Sequence, residues 1–276
     1  MSSNVMILNL RPLNGGGNGD IAIGQRNDNG GYVVVKYLRE FKSPDARKRF
    51  LREVRVLLRK YRGVVQLLWW DTNGERPYYL MPYLAGGSLT TYAGTLSNSQ
   101  LEAVANDLAL TLFDIHAKGD AHGDFKPDNI LVCDKGHLQV ADPLGNGVNC
   151  SVIFGQNHGG TPGYWAPEIA AGNPISSEGD VYSYGATLYH LLTGRRPVDG
   201  QQLDVSGYVN APKIREIIRV CCQSNPGARA KIQDVFRMLR GEKWVDIQAE
   251  RQKSETLLTG LCAVGGLLLL FGFLAE

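Results

Sequence analysis

A chain of 276 residues is long enough for one large domain or for two smaller lobes sharing a cleft. Its 43% hydrophobic and 20% charged content are ordinary for a folded globular protein. A net charge of +2 argues against a nucleic-acid partner, which usually demands a strong basic stripe.

Residues 1–20 lack a basic region followed by an apolar run, so no secretory leader is expected there. β-like runs follow at Val5–Leu10, Asp20–Gln25 and Tyr32–Leu38, broken by Gly/Asn clusters at 14–19 and 27–31 that are turn chemistry. Ser43-Pro44-Asp45 reads as a helix start, with Ser as N-cap and Pro in the first turn. The helix should run to about Tyr61, with Phe50, Val54, Leu57 and Leu58 on one face. Its many Arg and Lys residues between 47 and 62 read as a solvated face. Val64–Trp70 and Tyr78–Met81 read as further strands with Arg76-Pro77 in the turn between them.

From Ser88 the pattern turns helical. Asn98–Lys118 places Leu101, Val104, Leu108, Leu112 and Ile115 on one face. Ile130–Cys133 and Leu138–Ala141 form a short hairpin, and helices are expected at about 177–193, 211–222 and 231–240. A strand-rich part with one helix followed by a helical part gives an α+β, two-lobed arrangement. The five cysteines include an adjacent pair, Cys221 and Cys222, and no Cys-x-x-Cys, so reduced thiols in a cytosolic compartment are expected and a Cys/His metal site is not.

Residues 241–255 read as a polar helical or extended linker. Thr256–Ala275 then contains no charged residue and includes eight Leu, two Phe and Val264. Twenty residues at about 1.5 Å each match the roughly 30 Å hydrocarbon core of a bilayer. Arg251 and Lys253 precede the run and only Glu276 follows it, so the larger part is expected on the cytoplasmic side of a single-pass, tail-anchored protein. The alternative is a buried C-terminal helix of the folded domain. Gly260, Gly265, Gly266 and Gly272 would permit close helix approach, and hence a homodimer through the span, although they are not spaced as Gly-x-x-x-Gly.

Three groups of residues carry chemistry. Leu13-Asn14-Gly15-Gly16-Gly17-Asn18-Gly19-Asp20-Ile21 lies between two β-like runs, where backbone N–H groups can approach phosphate oxygens; a plain hairpin loop fits equally well. Lys36 ends the apolar run Val33-Val34-Val35 and needs a partner if buried. Glu53 on the following helix can supply one, Glu40 is a rival, and a surface ion pair of little worth is the plain alternative. His122-Gly123-Asp124-Phe125-Lys126-Pro127-Asp128-Asn129 sits between a helix and the hairpin. Phosphoryl transfer needs a carboxylate near the acceptor hydroxyl, a cation near the moving phosphate and hard ligands for Mg²⁺. Asp124, Lys126 and Asn129 offer these within six residues, and Asp142 follows across the hairpin.

Over about residues 8–240 these motifs resemble the eukaryotic-type (Hanks-type) Ser/Thr protein kinases. Gly16, Gly19 and Ile21 match the glycine-rich loop, with Asn14 in place of its first glycine. Lys36 and Glu53 match the strand lysine and helix glutamate. Met81-Pro82-Tyr83-Leu84 resembles the hinge, with Met81 as gatekeeper and Pro82 and Leu84 offering backbone groups to adenine. Gly160-Thr161-Pro162-Gly163-Tyr164-Trp165-Ala166-Pro167-Glu168 resembles the end of the activation segment. Asp180 matches the helix aspartate that supports the catalytic loop, and Arg229 the late arginine that pairs with Glu168.

The resemblance implies an N-lobe at 5–81, a hinge at 82–87 and a C-lobe at 88–240; composition adds a juxtamembrane linker at 241–255 and a transmembrane helix at 256–275. The resemblance also implies ATP with Mg²⁺ (Mn²⁺ as a substitute) and protein substrates, with autophosphorylation. Asp124 would be the base, Lys126 would stabilise the γ-phosphate, Asn129 and Asp142 would hold the metal, and Lys36 the α/β-phosphates. Thr161 with Lys126 fits Ser/Thr acceptors. Three departures stand out: Gly123 replaces the arginine that reads a phosphate on the activation segment, Pro143 replaces the Phe of Asp-Phe-Gly, and Asn14 replaces a glycine. Two other functions fit part of the pattern. A small-molecule phosphotransferase of the aminoglycoside or choline type shares the His-Gly-Asp loop but would not be expected to carry the 161–168 stretch. A membrane-tethered pseudokinase would bind without turnover.

Overall fold

The computed structural model describes residues 6–13, 19–40, 42–133, 136–144, 163–254 and 256. The Asn14–Gly17 part of the glycine-rich loop, Thr161 and the apolar run from 257 onward lie outside the described residues.

The first lobe is an antiparallel sheet of β1 (Ile7–Leu13), β2 (Gly19–Arg26), β3 (Tyr32–Leu38), β4 (Trp69–Asp71) and β5 (Tyr78–Pro82), in the order β1-β2-β3-β5-β4. The period of two places Val34, Lys36 and Leu38 of β3 on the same face as Tyr79 and Met81 of β5, because Val34 pairs with Met81 and Lys36 with Tyr79. Helix α1 (Pro44–Leu57) packs there through Ala46, Phe50, Val54 and Leu57. Val33, Val35 and Leu80 on the other face are buried too, which explains the unbroken apolar run. Ser43 caps α1, its hydroxyl accepting from the Ala46 N–H at 3.3 Å.

The helix ends four residues earlier than expected, and Leu58 is exposed rather than on the buried face. The basic face is not wholly solvated either. Arg47 donates to the carbonyls of Thr72 and Gly74, and Arg59 pairs with Asp120. Gly63 makes the turn at φ 69°, where a Cβ would stand 2.1 Å from Thr111 Oγ1. The expected strand at Val64–Trp70 shortens to β4. Val64 and Val65 instead join the second lobe, Val65 donating to the Val140 carbonyl at 2.9 Å while Val140 donates to that of Gly63 at 2.7 Å.

The second lobe is built on α2 (Asn98–Ala117), started by a capping box between Ser97 and Gln100. Leu101, Leu108, Leu112 and Ile115 are fully buried, and Val104 is half-buried. The hairpin of β6 (Ile130–Val132) and β7 (Leu138–Val140) follows, then α3 (Pro167–Ala170), α4 (Ser177–Thr193), α5 (Pro212–Cys221) and α6 (Ile232–Leu239). Cys221 and Cys222 are free thiols, and burial pushes Cys222 up to about 12, so it carries no reactive thiolate.

Residues 244–254 form a further helix, α7. Trp244 and Ile247 are buried in the second lobe's core, and Arg251 donates to Asp234 of α6 at 3.1 Å. The stretch read as a linker is therefore docked on the domain. Among the described residues no helix is long and apolar enough to cross a membrane, and apart from Thr256 the candidate span lies outside them.

Candidate active site

The loop at 122–129 is held from beneath. Asp180, buried near the start of α4, accepts from the His122 N–H at 2.7 Å and the Gly123 N–H at 2.8 Å. His116 from the last turn of α2 lies 2.9 Å from the same carboxylate. Three elements thus converge on one buried acid. The His122 ring is wholly buried. Its Nε2 lies 2.9 Å from the Ala141 carbonyl, and Nδ1 accepts from the Asp124 N–H at 3.2 Å, so the ring is neutral with its proton on Nε2. Burial pulls its pKa below the ordinary histidine value despite the nearby Asp180 and Asp124 charges.

The Asp124 carboxylate faces two donors. Lys126 Nζ lies 2.9 and 2.6 Å from its oxygens, and Asn129 Nδ2 donates to Oδ2 and to the Asp124 carbonyl, both at 2.8 Å. With both amide hydrogens of Asn129 engaged, its Oδ1 is the atom left to accept a cation. The hairpin carries Asp142 back to this loop: Ala141 donates to the Asn129 carbonyl at 2.8 Å, and Leu144 to that of His122 at 2.7 Å.

Asp142 adopts φ 57°, a left-handed conformation that costs a non-glycine residue about 1 kcal/mol or more. It aims the carboxylate at Lys36, whose Nζ lies 2.9 Å from Asp142 Oδ1 and 2.8 Å from Glu53 Oε1. Glu53, not Glu40, is the helix partner. Burial alone would lower the Lys36 pKa, but the Asp142 and Glu53 charges outweigh it and hold the ammonium above its ordinary value. Burial raises the Glu53 carboxyl, and the Lys36 charge offsets this only in part. For Asp142 burial is opposed more strongly by Lys36, and its pKa falls below the usual carboxylate range.

Ile21 of β2 pairs directly with Lys36. Gly19 opens β2, whereas Asn14, Gly15, Gly16 and Gly17 lie outside the described residues. Met81 is buried beside Val34, and Pro82 and Leu84 follow on the connection to the second lobe. Glu168 on α3 takes a bidentate pair from Arg229, at 2.5 and 2.6 Å. That guanidinium is 2% exposed and also donates to the carbonyls of Glu178, Gln223 and Ser224.

Among the described residues, the structure brings together Lys36, Glu53, Asp124, Lys126, Asn129 and Asp142. Sequence reasoning missed Tyr79 and His116. His116 showed no signal, being one polar residue in the last turn of an amphipathic helix. For Tyr79 the strand period shows only that it shares a face with Met81, and it is the register of β3 on β5 that sets it opposite Lys36.

The family model described as "Protein kinase domain" matches residues 9–262. Serine/threonine-protein kinase Pkn1 of Myxococcus xanthus is 33% identical over 210 residues, 70% of this chain and 30% of that protein. Serine/threonine-protein kinase PkaA of Streptomyces coelicolor is 32% identical over 236 residues, 75% of this chain and 42% of that protein. The DNA damage-responsive serine/threonine-protein kinase RqkA of Deinococcus radiodurans is 32% identical over 203 residues, 69% and 30% respectively. The matched regions span less than half the length of each of these relatives. With the site geometry and these similarities together, the chain belongs to the protein kinase domain family.

Proposed function

We propose that the chain is an active Ser/Thr protein kinase that transfers the γ-phosphate of ATP to proteins, itself included, while anchored to a membrane by residues 256–275. The observation that carries this is the Asp124 carboxylate, fixed between Lys126 and Asn129 with Asp142 tied to the same loop. The acceptor hydroxyl would hydrogen-bond to Asp124, which takes its proton as the oxygen attacks the γ-phosphorus in line and the bond from that phosphorus to the bridging oxygen breaks, releasing ADP. Lys126 would then turn its ammonium from Asp124 to the charge on the phosphoryl group. Lys36, held by Glu53, would meet the α/β-phosphates. Backbone groups at Pro82 and Leu84 would read the adenine.

Asn129 Oδ1 and the Asp142 carboxylate fit a Mg²⁺ ion, which takes oxygen ligands and fills its shell with water and phosphate oxygens. Among the described residues no group of three or more His, Cys, Asp or Glu could hold a metal ion. When bound, the ion would neutralise charge between the β- and γ-phosphates.

The buried Glu168–Arg229 pair and the Ser/Thr kinase relatives favour a protein acceptor over a small molecule. The test is incubation of the full chain, in detergent, with Mg·ATP and a generic basic protein, followed by phosphosite mapping. Phosphoserine or phosphothreonine on either protein is expected. Nucleotide binding without transfer to any protein would overturn the proposal in favour of a pseudokinase.

Membrane attachment is supported by the uncharged 256–275 stretch. With Trp244 and Ile247 docked, the span would leave the domain from a fixed point rather than from a loose tether. The full chain should resist alkaline extraction from membranes; extraction in the soluble fraction would contradict the anchor.

A further inference from the structure

We propose that Tyr79 is a positioning residue that latches α1 in the place where Glu53 pairs with Lys36. Tyr79 is 0% exposed, and its hydroxyl donates to Glu53 Oε1 at 2.6 Å. The same oxygen accepts from Lys36 at 2.8 Å. One side chain of β5 therefore fixes the carboxylate that fixes the lysine. A second contact holds the same helix. Phe50, one turn before Glu53, stacks on the Tyr79 ring with centroids 5.5 Å apart and planes at 28°. Tyr79 grips α1 through one polar and one apolar contact, so sliding or rotating the helix would break both.

The hydroxyl has a task that the ammonium cannot do. In this structure Lys36 divides its donors between Glu53 and Asp142. Once Lys36 turns toward phosphate oxygens, Glu53 keeps a neutral, directional donor that does not compete for those oxygens. Without it, a largely buried carboxylate would lose one of its two hydrogen-bond donors, a costly loss where little water can replace it. The device is built into the fold and needs no modification. It complements Gly123, where the side chain that would read a phosphate is missing.

The inference rests on the reading of Lys36 as the phosphate-binding lysine, and the test separates the two. The full chain, Tyr79→Phe, Glu53→Gln and the double variant are compared in three ways: Mg·ATP affinity, adenosine affinity, and hydrogen exchange of α1 amides without nucleotide. Tyr79→Phe keeps the ring and its stacking. It should weaken Mg·ATP about three- to tenfold, leave adenosine within about twofold, and speed exchange across 48–57 while α2 stays unchanged. Adding Tyr79→Phe to Glu53→Gln should change ATP affinity no further, because both act through one contact. An unchanged α1 exchange rate overturns the latch, as does equal weakening of ATP and adenosine or an additive double variant. If the wild-type chain fails to bind Mg·ATP, the kinase reading falls, and α1 exchange alone decides the latch.

Discussion

At position 123 the chain has given up a side chain and taken a conformation that few side chains tolerate. Gly123 sits at φ 84°, and a Cβ there would meet Ile175 Cδ1 at 2.6 Å and Leu144 Cβ at 3.2 Å. The space an arginine stem would need is filled by Ile175 and Leu144, which pack together with Ala121, Ala166 and Ile169. An arginine here would be displaced as well as strained. Gly123→Ala should therefore cost about 1–3 kcal/mol through the left-handed backbone alone, read as a lower urea midpoint. Gly123→Arg should be destabilised at least as much. An alanine variant as stable as the parent chain would show that the loop relaxes without strain.

At the level of elements, α3 is tied to the rest of the second lobe through Arg229. Arg229, between α5 and α6, brings four hydrogen-bonding partners to one guanidinium, with Tyr182 of α4 facing it at 5.2 Å. Arg229→Met would leave Glu168 without its charge partner in a largely buried place, costing about 3–5 kcal/mol. Arg229→Lys should recover little, because a lysine cannot reproduce the fork. Thermal melting of the three proteins checks this, and a lysine variant that melts like the parent would contradict it.

Asp124, Lys126 and Asn129 were readable because their chemistry lies within six residues, and Lys36 because a charge ending an apolar strand demands an explanation. Tyr79 was not readable, since its meaning depends on which residue of β3 it faces, a matter of register. Val64–Trp70 misled for a related reason. A buried apolar run reads as a strand whatever its partner, and here Val64 and Val65 bond to the other lobe's hairpin. The polar surface of 241–255 concealed two anchors, Trp244 and Ile247, spaced one turn apart.

For the molecule as a whole, two buried histidines set a pH limit. Burial lowers the pKa of His122 and His190, the latter bonded to Tyr164 at 2.6 Å. Unfolding lets each take up a proton that the native state resists. Their contribution is complete above the ordinary histidine pKa of about 6.5 and is lost as pH falls below it. Glu53, whose carboxyl is raised by burial, opposes this in part. The melting temperature should be level from about pH 8 to 6.5 and decline toward pH 5; a level curve throughout would contradict the neutral assignment of these rings. Removing 257–276 should release the protein from membranes and leave catalysis intact, because Trp244, Ile247 and Arg251 lie before the cut. Loss of folding on that deletion would make the apolar run part of the core.

Asp124, as the proposed base, would accept a proton during phosphate transfer to protein hydroxyls. Asp124→Asn keeps the side chain's size and a hydrogen-bond acceptor for Lys126, so it tests that role with little structural disturbance. Transfer of labelled γ-phosphate from Mg·ATP to protein serine and threonine should fall by about two to four orders of magnitude, with nucleotide affinity and melting temperature nearly unchanged. Transfer at close to the parent rate by the folded variant would contradict the assignment of the base.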